Sequence, residues 1–162
     1  MRRAPTPAAV TLCRCLTAAC GAGPPSAASS MSAGPGAEAM SNPAVVTTGE
    51  LTQRTALMDA RGRPLYAFRR DRGGRSACYG HCAAAWPPLL TTDAPRAMGA
   101  AETGLLGTSQ RSDGATQVTY GGHPLYSYGG DSRPGQALGQ GREAFGGAWG
   151  LVGVGGRVLD GR

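Results

Sequence analysis

Apolar and polar residues alternate with a period of two along several short stretches of this chain, and glycine- and proline-rich turns separate the stretches. That pattern predicts strands rather than long helices. Residues 55–59 (TALMD), a turn at Ala60 to Gly62 and residues 64–70 read as a first hairpin. Residues 105–111, a turn at Ser112 to Gly114, residues 115–120 and, after Gly121 and Gly122, residues 124–128 read as a three-stranded meander. Alternation puts Leu65 and Ala67 on one face with Tyr66 and Phe68 on the other, and Leu125 and Ser127 opposite Tyr126 and Tyr128. Two aromatics sharing a face in each stretch suit core packing; a ligand-stacking platform is the alternative. AAAWPPLL reads as one helical turn stopped by Pro87 and Pro88, and GREAFGGAW is expected to repeat it.

The two aromatic stretches are copies of one element. Residues 63–71 read RPLYAFRRD and residues 123–131 read HPLYSYGGD. The same offset aligns Met58 with Val118 and Gly62 with Gly122, and three extra residues in the second copy bring Trp86 opposite Trp149. A repeat of this length marks a duplicated unit that buries its apolar face only with its copy. The fold class is therefore mainly β, with two tandem repeats of β-hairpin or meander plus a short helical turn packed as one small domain. Repeat one spans about residues 50–92 and repeat two about 105–155. Asp71 and Asp131 close the two elements. Paired carboxylates suit acid–base work or metal ligation, but recurrence at the same place in both copies favours hydrogen bonding to turn amides.

The N-terminal segment has a different character. Arg2 and Arg3 precede a small, apolar run that ends LTAAC, so residues 1–20 read as a signal peptide with a lipobox-like end and Cys20 as the lipidated residue. Ordinary secretion after cleavage near Ala28 and a mis-called start or cytosolic tail are the alternatives. Residues 21–44, rich in Pro, Gly, Ser and Ala, have little to bury and read as a tether, which leaves residues 45–162 for the β-domain. No stretch approaches the ~20 apolar residues that span a bilayer as a helix. The expected address is the bacterial cell envelope, outside the cytoplasm, with the membrane reached through the lipid.

All 16 basic residues are arginine. Six of them, Arg61, Arg63, Arg69, Arg70, Arg72 and Arg75, stand with Asp71 alone in residues 61–75, while charges in the rest of residues 51–162 cancel. The cluster is either a solvated face or a patch for an anionic envelope component or envelope protein. Nucleic acid is the weaker partner because no recognised binding motif accompanies the charge.

Of five cysteines, Cys13 and Cys15 leave with the signal peptide and Cys20 is acylated, which leaves Cys78 and Cys82 as an even pair in an oxidising compartment. Side chains at i and i+4 of a regular helix hold their Cβ atoms ~5–6 Å apart, whereas a disulfide wants ~3.5–4.5 Å. A bridge therefore needs a tightened turn, which Gly80 permits. With His81, CYGHC is also a soft donor set suited to Cu(I) or Zn; the leading expectation is no cofactor.

YAFRRD and YSYGGD, together with CYGHCAAAWPPLL, LLGTSQRSDGATQVTYGGHPLYSY and GQGREAFGGAW, resemble the secreted-repeat family of predicted bacterial lipoproteins with a Yx(FWY)xxD motif. The resemblance covers about residues 50–152. It implies an exported, lipid-anchored protein of unassigned biochemical role, with Tyr66, Phe68, Asp71, Tyr126, Tyr128 and Asp131 as its signature. The chain departs from the family pattern at Glu143, where Asn is common, and at Gly150, where an aromatic is common.

Two functional classes follow. One is a non-catalytic binding module of the envelope. The other is a copper, zinc or thiol-redox protein built on Cys78, His81 and Cys82. No nucleophile, base and oxyanion-hole arrangement is visible, and two histidines leave little for conventional acid–base catalysis.

Overall fold

The computed structural model describes residues 42–51 and 54–160. Cys20, the signal segment and most of the tether lie outside the described residues. Elements run β1 (Val45–Leu51), β2 (Arg54–Asp59), β3 (Tyr66–Phe68), α1 (His81–Ala85), β4 (Arg96–Ala97), a 3-10 turn (Thr103–Leu105), β5 (Leu106–Gln110), β6 (Thr116–Tyr120), β7 (His123–Pro124), β8 (Glu143–Ala144) and β9 (Gly147–Leu151). They form three small sheets, ordered β2-β1-β4, β3-β9-β8 and β5-β6-β7. The described chain is mainly β, as the alternation predicts.

Strand β1 was not anticipated. Its sequence VVTTGEL alternates only weakly, yet Val46 is wholly buried and the strand pairs with β2 from Val46 opposite Asp59 to Leu51 opposite Arg54. Gly49 makes room for Met58, whose sulfur would lie 2.5 Å from any Cβ there. Asn42 and Ala44, assigned to the tether, donate their amides to Thr92 and Thr91 hydroxyls.

A local two-fold axis relates the repeats. Tyr66 and Tyr126 face each other as an antiparallel pair and exchange both backbone hydrogen bonds, 2.8 and 2.9 Å. Around that axis the two halves repeat the same closed triangle of backbone bonds. In one, Leu57 N–H donates to Val152, Val152 to Leu65 and Leu65 to Leu57; in the other, Val118 donates to Leu89, Leu89 to Leu125 and Leu125 to Val118. The triangles correct the sequence alignment, because Leu57, not Met58, is the counterpart of Val118. The cause is turn length: Asp59 and Arg63 flank three residues ending in Gly62 at φ 74°, whereas Tyr120 and His123 flank the pair Gly121–Gly122, both at positive φ.

The triangles also show that the repeats are interleaved. Strand β3 of repeat one pairs with β9 of repeat two, Phe68 opposite Trp149. Reciprocally, the Tyr126 segment pairs with residues 85–88 of repeat one: Ser127 N–H donates to Pro87 and Gly129 N–H to Ala85. Pro87 and Pro88 have no N–H to return, so the return bond of this second ladder comes from Leu89 N–H to Leu125 O, and the ladder stays short. Each tryptophan segment thus completes the other copy's sheet.

The two faces pack as alternation predicts. Tyr66, Phe68, Tyr126, Trp86 and Trp149 fill an aromatic cluster, while Leu65, Ala67, Leu125, Leu57, Val118 and Val152 fill an aliphatic one. At the centre Trp86 stacks on Trp149 with centroids 3.9 Å apart. Each tryptophan meets its own repeat's tyrosine edge-on (Tyr66 at 5.3 Å, Tyr126 at 5.2 Å) and the other repeat's second aromatic near face-on (Tyr128 at 4.3 Å, Phe68 at 4.2 Å). The signature rings are core, packed between the copies, and they form no exposed platform.

One expectation fails in repeat two. Helix α1 forms after Cys78 and stops at Trp86 before the prolines, but GREAFGGAW is a β-hairpin, with Glu143 opposite Ala148 and Ala144 opposite Gly147. Phe145 (φ 57°) and Gly146 (φ 78°) both take left-handed backbone, the geometry of a two-residue type I′ turn that bends β8 into β9.

Candidate functional site

Along the two-fold axis the signature residues cross over. Tyr66 donates its hydroxyl to Asp131 Oδ2 (2.7 Å), and Tyr126 donates to Asp71 Oδ2 (3.0 Å), so each phenol binds the other repeat's carboxylate. The remaining oxygen of each carboxylate caps its own loop: Asp71 Oδ1 accepts Ala77 N–H and Asp131 Oδ1 accepts Leu138 N–H, both at 2.8 Å. The expected turn role is therefore half of what these aspartates do. The other half joins residues 65 and 55 positions apart.

Burial sets the electrostatics. Loss of hydration pushes Asp71 up to about 6, although the Ala77 amide, the Tyr126 hydroxyl and the charges of Arg111 and Arg72 pull the other way. Burial likewise raises Asp131 against the Tyr66 hydroxyl and the Leu138 amide. Both phenols are held far above their ordinary range, first by burial, so they stay neutral donors.

The halves differ at the far side of each phenol. Tyr66 accepts Gly139 N–H at 3.3 Å, and a Cβ on Gly139 would lie 2.8 Å from both the Trp86 and Tyr66 rings. The Tyr126 hydroxyl instead lies 2.8 Å from Ser76 Oγ, which accepts from Arg111 Nη1 at 2.9 Å. Arg111, which nothing in the sequence singled out, is buried. It donates through Nε to Asp113, through Nη1 to Ser76 and Gln117, and through Nη2 to Cys78 O and Asp113, and it lies 4.4 Å over the Tyr79 ring. All its donors are used, so it ties the 76–79 loop of repeat one to the β5–β6 turn and offers nothing to a ligand.

That loop leads into the cysteines. Cys78 and Cys82 form a disulfide with Cα atoms 5.2 Å apart, and Gly80 at φ 55° makes the tight turn before α1. Cys78 and Cys82 are buried in the aromatic cluster, whereas His81 is exposed. In the bonded state neither sulfur is a thiolate, so Cu(I) or Zn ligation by Cys78, His81 and Cys82 would require the bond to be reduced first.

Residues 48–90 and 107–152 each match the profile of a family described as a secreted repeat of unknown function. The chain belongs to that family. No curated protein and no solved structure matches it. In this secreted repeat the two positions expected to depart from the family pattern, Glu143 and Gly150, find different settings. Glu143 is exposed on β8. Gly150 is buried, and a Cβ there would lie 2.7 Å from Val158 and 2.9 Å from Leu159 O, so an aromatic side chain has no room at this position.

Arg61 and Arg63 sit at the β2–β3 turn, and Arg69 to Arg75 follow β3. Arg63 pairs with Asp59 at 2.7 Å and Arg69 with Asp160 at 2.7 Å. Arg70 donates to Phe145 O, and Arg72 to the carbonyls of Arg69 and Asp71. Arg75 is exposed, and its guanidinium has no partner among the described residues. It lines an open cleft of about 670 Å³ between the repeats, walled by Gly73 to Ser76 and Tyr79 on one side and by Thr108 to Ser112 on the other. Among the described residues no helix is long and apolar enough to cross a membrane.

Proposed function

We propose that this secreted repeat is a non-catalytic binding module of the bacterial envelope, held to the membrane by a lipid on Cys20, whose inter-repeat cleft takes an anionic, hydroxyl-rich ligand such as a segment of an envelope polymer. The observation that carries the reading is Arg75, an unpaired guanidinium in a cleft otherwise lined by hydroxyl, amide and backbone groups, the Tyr79 ring and Arg111, whose charge is already paired with Asp113. Such a lining offers one charge for a carboxylate or phosphate and many weak partners for hydroxyls. The crossed Tyr–Asp pairs support the same view, because the side chains best suited to proton transfer are engaged with each other inside the domain.

Titration of the purified protein with a uronic-acid oligosaccharide and with its neutral counterpart tests the cleft. The acidic sugar should bind, and Arg75→Gln should weaken it about tenfold. Equal binding of both sugars, or indifference to Arg75→Gln, would exclude this ligand class. The anchor is checked separately: Cys20→Ser should move the protein out of the membrane fraction, and unchanged fractionation would rule it out.

A further inference from the structure

The tip of the β8–β9 hairpin is built at a cost that its packing does not explain. A type I′ turn needs positive φ at both central residues and is ordinarily filled by Asn-Gly or Asp-Gly, because a bulky side chain strains that backbone. Here the first position is Phe145 at φ 57°, and its side chain is not buried in return: the residue is 44% exposed. The tip is also stiff. Arg70 lies across it and donates to Phe145 O at 3.1 Å, and a Cβ at Gly146 or Gly147 would fall 2.8 or 2.6 Å from the Arg70 side chain. Trp149 Nε1 donates to Ala144 O, which ties the turn to the aromatic core. Strain kept in a rigid turn that displays an aromatic ring to solvent indicates that the ring is used.

Charge identifies what it meets. Arg70 lies on the tip, Arg69 donates its amide to Ala148 O, Arg72 reaches Arg69 O, and Arg142 precedes β8 and accepts from Trp149 N–H, against Glu143 and Asp160 as exposed acids, a balance of 4 − 2 = +2. Asp71 does not count because its carboxylate is turned inward to Tyr126 and Ala77. A projecting aromatic with the Arg70 side chain laid on its turn and further arginines on the neighbouring strands matches the interface of an anionic bilayer, where the ring enters the headgroup boundary and the arginines meet phosphate. The stem of Arg70 is laid on Gly147, an apolar run that ends in a guanidinium held at the turn by Phe145 O.

We propose that the Phe145 hairpin is a membrane-contact finger that docks the domain on anionic lipid. The inference depends on neither Arg75 nor Cys20. The test uses the full chain carrying Cys20→Ser, so that no acyl group contributes, and measures co-sedimentation with vesicles of phosphatidylcholine alone or mixed with phosphatidylglycerol. Binding is expected only with phosphatidylglycerol and should fall with salt. Phe145→Asn should reduce it about fivefold or more while raising Tm, because Asn tolerates the left-handed backbone. Arg75→Gln should leave it unchanged, which separates this idea from the cleft. A Phe145→Asn variant that melts below the parent would make the ring a packing element, and one that binds vesicles as the parent does would remove the finger. Absence of binding to any vesicle would transfer the hairpin to a protein partner and overturn the proposal.

Discussion

Repeat one and repeat two place the same five kinds of group around the axis: a paired tyrosine, a second aromatic, an aspartate, a tryptophan and a closed triangle of backbone bonds. They diverge between the aspartate and the tryptophan. Repeat one fills that interval with a disulfide and one turn of helix, repeat two with a hairpin. The shared groups are interior and each touches the other repeat; the divergent segments carry Arg75 and Phe145, which face solvent. The lesson is that the signature maintains the junction between the copies, while the intervals it leaves free are where one copy can acquire a property the other lacks.

Because each tryptophan segment completes the other copy's sheet, separating the copies should have the largest effect. A chain cut between Ala100 and Ala101, in an exposed turn, gives one fragment without β9 and one without Trp86 and Leu89. Each is too short to hide its aromatic face alone. Each fragment should be unfolded by circular dichroism, and mixing them should restore the β spectrum and the stacked-tryptophan near-UV signal. A folded single fragment would show that the interleaving is not what holds the domain together.

Single rings come next. Tyr66→Ala and Tyr126→Ala should each cost about 3–5 kcal/mol, since both rings are fully buried against a tryptophan. The phenylalanine variants sharpen the comparison of the halves. Tyr66→Phe strips the more deeply buried Asp131 of its phenol and should cost about 1–3 kcal/mol. Tyr126→Phe should cost less, because Asp71 is less buried and keeps the Ala77 amide and the nearby charges of Arg111 and Arg72. Denaturant melts of the pair measure the difference directly, and equal costs would mean that the halves are balanced.

Much of this junction was legible in the sequence, and the physical reasons mark where legibility ends. Alternation with a period of two disclosed β2, β5, β6 and the split of Tyr66 and Phe68 from Leu65 and Ala67, because each strand has one aromatic and one aliphatic face. Strand β1 escaped because Thr47, Thr48 and Gly49 blur its alternation. The second helical turn was expected by analogy with repeat one, but Phe145-Gly146 sets two consecutive positive φ values, which no helix allows. The crossed phenols and the burial of Arg111 had no local signal, since their partners are brought together only by the interleaving. Arg111 lies two residues before Asp113 in a turn sequence that reads as solvated.

The smallest expected effect separates the two aspartates. Asp71 has a folded pKa of about 6, above its ordinary 3.8, so the folded state binds the proton more tightly than the unfolded one. Its contribution to stability is therefore fully present below pH ~4 and is lost as pH rises through about 6. Tm should rise by about 2–5 °C as pH is lowered from neutral towards 5. Asp71→Asn should remove most of that rise and lift Tm at neutral pH, since the amide needs no ionic hydration. Tyr126 can then turn its proton to Ser76 Oγ, 2.8 Å away, while the Asn oxygen keeps the Ala77 amide. Asp131→Asn has no such exit. The Tyr66 hydroxyl already accepts Gly139 N–H, and with the Asn oxygen kept by Leu138 N–H its proton loses its acceptor, so this variant should melt lower at every pH. If both Asn variants shift Tm in the same direction at neutral pH, Ser76 is not the alternative acceptor and the two halves of the lock are equivalent after all.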